Sequence, residues 1–205
     1  MHRPARTIER GRRWLLAWFL CLVAAWPAAW AQGSTAEVTQ LRVDRTEDGV
    51  LLSSTVRFDL PPVVEDALMK GIPMYFLVEA TIYRDRWYWY DKRVASAQRH
   101  MRLIYQPLTR RWRLQVSSAP ISHSGLVLGQ VFDSQQEALE AVQRISGWRI
   151  ADPGEVDPEV AHTVDFRFQL DVSQLPRPFQ IGAVGESDWN ILAVRKVRLQ
   201  PDRPK

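Results

Sequence analysis

Thiol chemistry is almost absent from this chain of 205 residues. It contains one cysteine, Cys21, and that residue lies inside an apolar N-terminal run. Disulfides and a cysteine nucleophile are therefore both excluded from everything beyond the run. Histidine is scarce as well. Of four in all, His100, His123 and His162 follow the leader, and none has the spacing that closes around a metal. His162 and Asp165 come nearest to a pair, and three residues along a strand puts them on opposite faces. Ser124 beside His123 makes no nucleophile site, because sequence neighbours on an extended chain diverge. Asp152, Glu155, Asp157 and Glu159 lack the spacing of an EF-hand loop and read as a solvated loop. No catalytic residue, metal ligand or cofactor site emerges.

What is present at the start is a targeting pattern. Arg3, Arg6, Arg10, Arg12 and Arg13 form a basic leader, and an apolar run follows from Trp14 to Trp30. The run ends in Ala29-Trp30-Ala31, an A-x-A site before Gln32, so residues 1–31 read as a secretory signal peptide. A retained membrane anchor is the alternative, since the run approaches the ~20 residues of a span. Pro27 and the small residues near it favour cleavage. The Arg12-Arg13 pair lacks the flanks of a twin-arginine signal. Cys21, behind Leu20 and within the run, is misplaced for a lipid acceptor. The expected destination is the periplasm, with membrane contact only through an uncleaved leader.

The leader also holds most of the charge imbalance. It carries five of the 27 basic residues and one of the 23 acidic ones, leaving 22 of each sign. The basic isoelectric point of about 9.5 thus belongs to the leader, and a nucleic-acid partner loses its main support. Residues 32–205 must fold on a hydrophobic core without disulfides, and they suffice for one domain.

The stretch from Gly71 to Asp91 organises the rest. Phe76, Val78, Ala80 and Ile82 face one side of an extended strand, with Leu77, Thr81 and Tyr83 on the other. A strand this apolar on both faces belongs at the centre of a sheet covered above and below. Before it, Glu37–Arg45 and Val50–Leu60 alternate around a glycine turn at Glu47-Asp48-Gly49. A short helix then starts at Pro61-Pro62, buries Val64, Ala67 and Leu68, and stops at Gly71. After it come strands at Ala97–Tyr105 and Arg111–Val116, with a short one within Leu126–Phe132. Ser134-Gln135-Gln136-Glu137 is a capping box opening a helix that runs to Gly147. Val164–Val172 is the cleanest strand pattern, Leu175–Phe179 reads as a proline-fixed extended loop, and Trp189–Leu199 as a last strand. Strands at short spacing give a mainly β fold: an antiparallel, immunoglobulin-like β-sandwich with two short helices.

Gly71-Ile72-Pro73, the R-x-R-W-Y-W of Arg84–Trp89, Tyr105 with Pro107-Leu108-Thr109-Arg110, Leu175 to Phe179, and Trp189 carry a family resemblance. In these segments the chain resembles the exported proteins of Gram-negative bacteria known as domain of unknown function 4390. The resemblance covers nearly all of the chain after the leader. It implies a similar exported domain and brings no catalytic residue with it.

The candidate binding residues are Arg84, Arg86, Trp87 and Trp89, with Arg111 and Arg113 as a second positive strip. In a strand, Trp87 and Trp89 share one face for stacking on a sugar or anchoring a protein. Arg84 and Arg86 share the other, with Tyr88 and Tyr90, where they would hold a carboxylate or phosphate. Core tryptophans with arginine stems over the rim are the structural alternative. Were Arg111 and Arg113 to lie beside Arg84 and Arg86, an acidic ligand would follow. The expected role is a non-enzymatic module that binds an envelope protein or cell-envelope component, with no metal and no cofactor. A hydrolase or transferase is the other reading, built on Glu79, a carboxylate inside the most apolar strand whose burial would raise its pKa.

Overall fold

The computed structural model describes residues 36–85, 92–121, 128–177, 179–180 and 189–201. All fall within one compact unit, Gly33–Lys205. Among them are nine strands and two short α-helices. The strands are β1 (Glu37–Thr46), β2 (Gly49–Arg57), β3 (Met74–Arg84), β4 (Lys92–Gln106), β5 (Arg111–Ser117), β6 (Gly129–Phe132), β7 (Arg144–Ala151), β8 (His162–Leu170) and β9 (Leu192–Leu199). The helices are α1 (Pro62–Met69) and α2 (Gln135–Gln143). No helix among the described residues is long and apolar enough to cross a membrane.

Two antiparallel sheets result, one of three strands in the order β1-β2-β7 and one of six in the order β6-β5-β4-β3-β8-β9. The β1–β2 hairpin requires a glycine at position 49. Its φ is +108°, and a Cβ there would lie 2.2 Å from the carbonyl oxygen of Ala151 on β7, so both backbone conformation and space exclude a side chain. As the alternation predicts, β2 buries Leu52, Ser54 and Val56, and Phe58 continues their row past its end.

β3 is the central strand, paired with β4 on one side and β8 on the other. Phe76, Val78, Ala80 and Ile82 are sealed in the core, each at most 1% exposed. The expectation that both faces are covered needs correction. Leu77, Glu79, Thr81 and Tyr83 are only half-buried, because from Leu77 onward this face looks outward rather than onto a second layer. The inner face packs against the small sheet: Phe58 lies 5.7 Å from Phe76 and 5.3 Å from Phe168 between ring centres. Arg195 of β9 donates hydrogen bonds to the carbonyls of Val38 and Thr39 at 2.7 and 3.4 Å, tying one side of the large sheet to β1.

Two local expectations fail. The helix opened by Ser134 ends at Gln143, not at Gly147. Arg144–Ala151 leaves it directly as strand β7, because β2 offers that segment a ladder, and pairing overrides the helical spacing of its apolar residues. Leu175–Phe179 is not extended either. The carbonyl of Pro176 accepts from the N–H groups of Phe179 and Gln180, which turns the chain there.

Candidate functional site

Among the described residues, the unequal sheets leave part of the larger one without a facing strand. Inner positions of β4, β5 and β6 extend beyond the small sheet, and α2 packs over only part of them. The result is a groove of about 520 Å³. Its floor is the inner row of the sheet: Met101 stands opposite Val116, and Leu114 and Trp112 stand opposite Gln130 and Phe132. Met101 and Leu114 are each 2% exposed, whereas Val116, in the same row, is 37% exposed. The apolar surface therefore opens to solvent along β5.

Charged side chains of both signs line this floor. Glu137, Glu140 and Ala141 line it from α2, and Arg144 and Ser146 from β7. Arg99 lines it from β4. It is the one charged residue in the inner row Ala95, Ala97, Arg99, Met101, Leu103 and Tyr105, standing opposite the sealed Val78. Its guanidinium lies 5.8 Å from the ring centre of Trp148 on β7, and burial pulls its pKa below the ordinary arginine value. Among the described residues, no carboxylate pairs with the side chain of Arg99 or Arg144. Glu140, one helical turn before Arg144, accepts a 3.0 Å hydrogen bond from Gln136. These two arginines escaped the reading of the sequence, although Arg99 was detectable as a charge on the Met101–Leu103–Tyr105 face.

Arg84 occupies a different place, the end of β3, opposite His162 of β8 and Lys92 of β4. It pairs with Asp157 at 3.8 Å. His162 is 1% exposed, and its Nδ1 lies 2.9 Å from the carbonyl of Val160. Burial lowers the His162 pKa most, and Arg45 and Arg84 add to that, while the Val160 hydrogen bond and Asp157 oppose it. Next in the chain, Asp85 accepts from Thr163 Oγ1 at 2.8 Å and pairs with Arg198 at 3.2 Å. This sheet end is a charge network with its signs largely matched. Arg86, Trp87 and Trp89 lie outside the described residues.

Arg111 and Arg113 are not brought beside Arg84. Arg113 stands opposite Ile104, one residue beyond the Leu103–Met74 pair that opens β3, whereas Arg84 closes β3. Ten residue-to-residue steps along the strand separate Met74 from Arg84, roughly 33 Å at the usual rise. Arg111 pairs instead with Asp133 at 3.6 Å. Glu79 projects from the outer face of β3, accepts from Gln98 at 2.9 Å and stands opposite Arg167. It shares a shallow depression of about 190 Å³ with Asp165, and Asp165 is held by Lys196 at 3.0 Å. Among the described residues, no three His, Cys, Asp or Glu side chains are grouped to hold a metal ion.

The chain belongs to the family of the domain of unknown function DUF4390, whose model matches residues 33–198. No curated protein and no solved structure matches it.

Proposed function

We propose that this family member is an exported, non-enzymatic envelope protein, a periplasmic binding module for a protein or cell-envelope component. Residues 1–31 act as its signal peptide, on the strength of the basic leader, the apolar run and Ala29-Trp30-Ala31. N-terminal sequencing of the exported protein would then begin at Gln32. Residues 32–205 form a single β-sandwich, since residues of both sheets join one buried cluster. The resemblance to an immunoglobulin domain is limited to that two-sheet plan, because a three-and-six division of strands is more unequal than the immunoglobulin one.

One observation carries the binding role: two arginines with no carboxylate partner among the described residues line a groove with an open apolar floor. Ligand sites combine an apolar surface with a few convergent polar groups in this way. The test is affinity capture from a native envelope extract, using the full chain tagged at its C-terminus. Wild type is compared with Ala141→Trp, which fills the groove, and with Arg84→Ala, each checked for folding by circular dichroism. A partner held by wild type and Arg84→Ala but lost by Ala141→Trp supports the groove. Loss on Arg84→Ala alone moves the site to the end of β3.

An envelope hydrolase or transferase is the second reading, favoured by the depression that holds Glu79 with Asp165. Each acid already has a polar partner, Gln98 or Lys196, which suits a structural role better than proton transfer. Hydrolysis of envelope glycans or peptides that disappears in Glu79→Gln would replace the binding reading.

A further inference from the structure

We propose that two copies of this chain join edge to edge through β6, so that their six-stranded sheets run on as one. The proposal does not depend on the groove being a binding site. It starts from the four strands that end the two sheets, β1 and β7 in the small one and β6 and β9 in the large one. An edge strand presents a row of unpaired backbone N–H and C=O groups that another strand can complete. Folded proteins guard such rows with charges, bulges or covering segments. Three of the four edges are guarded. The register of β7 against β2 shifts twice, and β7 carries Arg144 and Arg149. The register of β1 shifts between Val38 and Gln40, and β9 holds Arg195, Lys196 and Arg198. The bonds from Arg195 to Val38 and Thr39 also bring those two edges together.

β6 is guarded only by its length of four residues. Gly129-Gln130-Val131-Phe132 contains no charge and no proline, and its register against β5 is unbroken. Among the described residues, no strand pairs with its outer edge. Val131 is 45% exposed and the preceding Leu128 is 97% exposed, so apolar side chains flank the open row. Asp133, just past the strand, already pairs with Arg111.

This edge fits a second copy of itself. Two identical antiparallel strands lying side by side are related by a two-fold axis normal to the sheet, which keeps each face on its own side. Opposite residues share a face, so the axis falls between a residue and its own copy. Centred on Val131, the pairing sets that side chain against its twin on the outer face and Gln130 against Phe132 of the second copy on the inner one. Such cross-strand pairs are what stabilise a sheet, and an uncharged edge brings no like charges into opposition. Centring on Gln130 instead would set Val131 against Gly129, which has no side chain to meet it. Gln130 and Phe132 line the groove, so in the Val131 register the floors of two grooves meet across the axis.

The experiment is sedimentation velocity of the chain purified from the cell envelope, over a range of concentrations. Wild type is expected to be a reversible dimer, because the joining strand is short. Val131→Glu gains Arg113, its opposite on β5, as an ion-pair partner within the copy, yet sets two carboxylates face to face across the axis. Val131→Lys sets two ammonium groups there. Each variant alone should weaken the dimer at least tenfold, and an equal mixture of the two should recover it as a heterodimer. Circular dichroism checks that both fold. A second test introduces no charge. In a Cys21→Ser background, which removes the only cysteine, Val131→Cys should form a disulfide-linked dimer on mild oxidation. Leu108→Cys, fully exposed on the turn after β4, should link at least tenfold more slowly. A wild type that stays monomeric overturns the proposal, as does a dimer indifferent to both charges at Val131. A mixture that stays monomeric, or equal linking of the two cysteines, overturns it as well. A disulfide from Val131→Cys to a different protein would do the same and assign the edge to a partner's strand.

Discussion

The guanidinium of Arg99 lies 5.8 Å from the ring centre of Trp148, and this contact joins β4 of the large sheet to β7 of the small one. It sits where the apolar interlayer gives way to the open groove. Arginine retains its charge even when partly buried, so the ring face supplies electrostatic compensation where no carboxylate of the described residues does. The same stacking holds the group at the edge of the groove.

A double-mutant cycle measures that bond between the layers. Arg99→Met, Trp148→Leu and the double variant, compared by urea denaturation, should give a coupling energy of about 0.5–2 kcal/mol. A coupling indistinguishable from zero would mean that the two sheets meet here by proximity alone.

Phe168 anchors the interlayer from the other direction. It is fully buried, 5.3 Å from Phe58 and 5.6 Å from Phe76 between ring centres. Phe168→Ala leaves a cavity beside the Phe58 and Phe76 rings, so it should cost about 3–5 kcal/mol. The denaturation midpoint should fall with an unchanged slope. A loss below about 1 kcal/mol would contradict the packing described for this cluster.

Ser134 caps α2 by accepting from the Glu137 N–H at 3.2 Å. Ser134→Ala should cost about 1 kcal/mol, and Ser134→Asp should restore most of it. Equal stability of the alanine variant and wild type would show that the helix start is held by packing of Ala138 and Val142 alone.

Legibility followed the range of the interactions. The cap at Ser134 and the alternation of Phe76, Val78, Ala80 and Ile82 are local patterns, and they predicted both elements. The end of α2 was not local. Ile145 continues the helical spacing of Ala138 and Val142, but it is 1% exposed because β2 pairs with its segment, opposite Ser54. Pairing partners distant in sequence leave no mark on the segment they recruit. The same limit governs the charges. The sequence left open whether Arg111 and Arg113 lie beside Arg84, and sheet register sets Arg113 on β5 near the start of β3 whereas Arg84 closes it. Arg99 and Arg144 looked unremarkable, and the mismatch of sheet widths makes them neighbours of one groove.

His162 ties stability to pH, and the direction follows from its surroundings. Burial, then Arg45 and Arg84, hold its pKa below the ordinary value of about 6.5, against opposition from the Val160 hydrogen bond and Asp157. The unfolded chain then binds a proton that the folded chain refuses. Stability should rise with pH between the lowered folded value and about 6.5, and be lost as the pH falls through that window. Proton NMR of His162 should give a midpoint below 6.5, and His162→Gln should remove this part of the acid sensitivity. Arg84→Gln takes away one depressing cation and leaves Asp157, so the midpoint should move back up and the acid loss should shrink. A His162 midpoint at or above 6.5 would mean that Asp157 and the Val160 carbonyl, rather than burial and the two arginines, govern this end of the sheet.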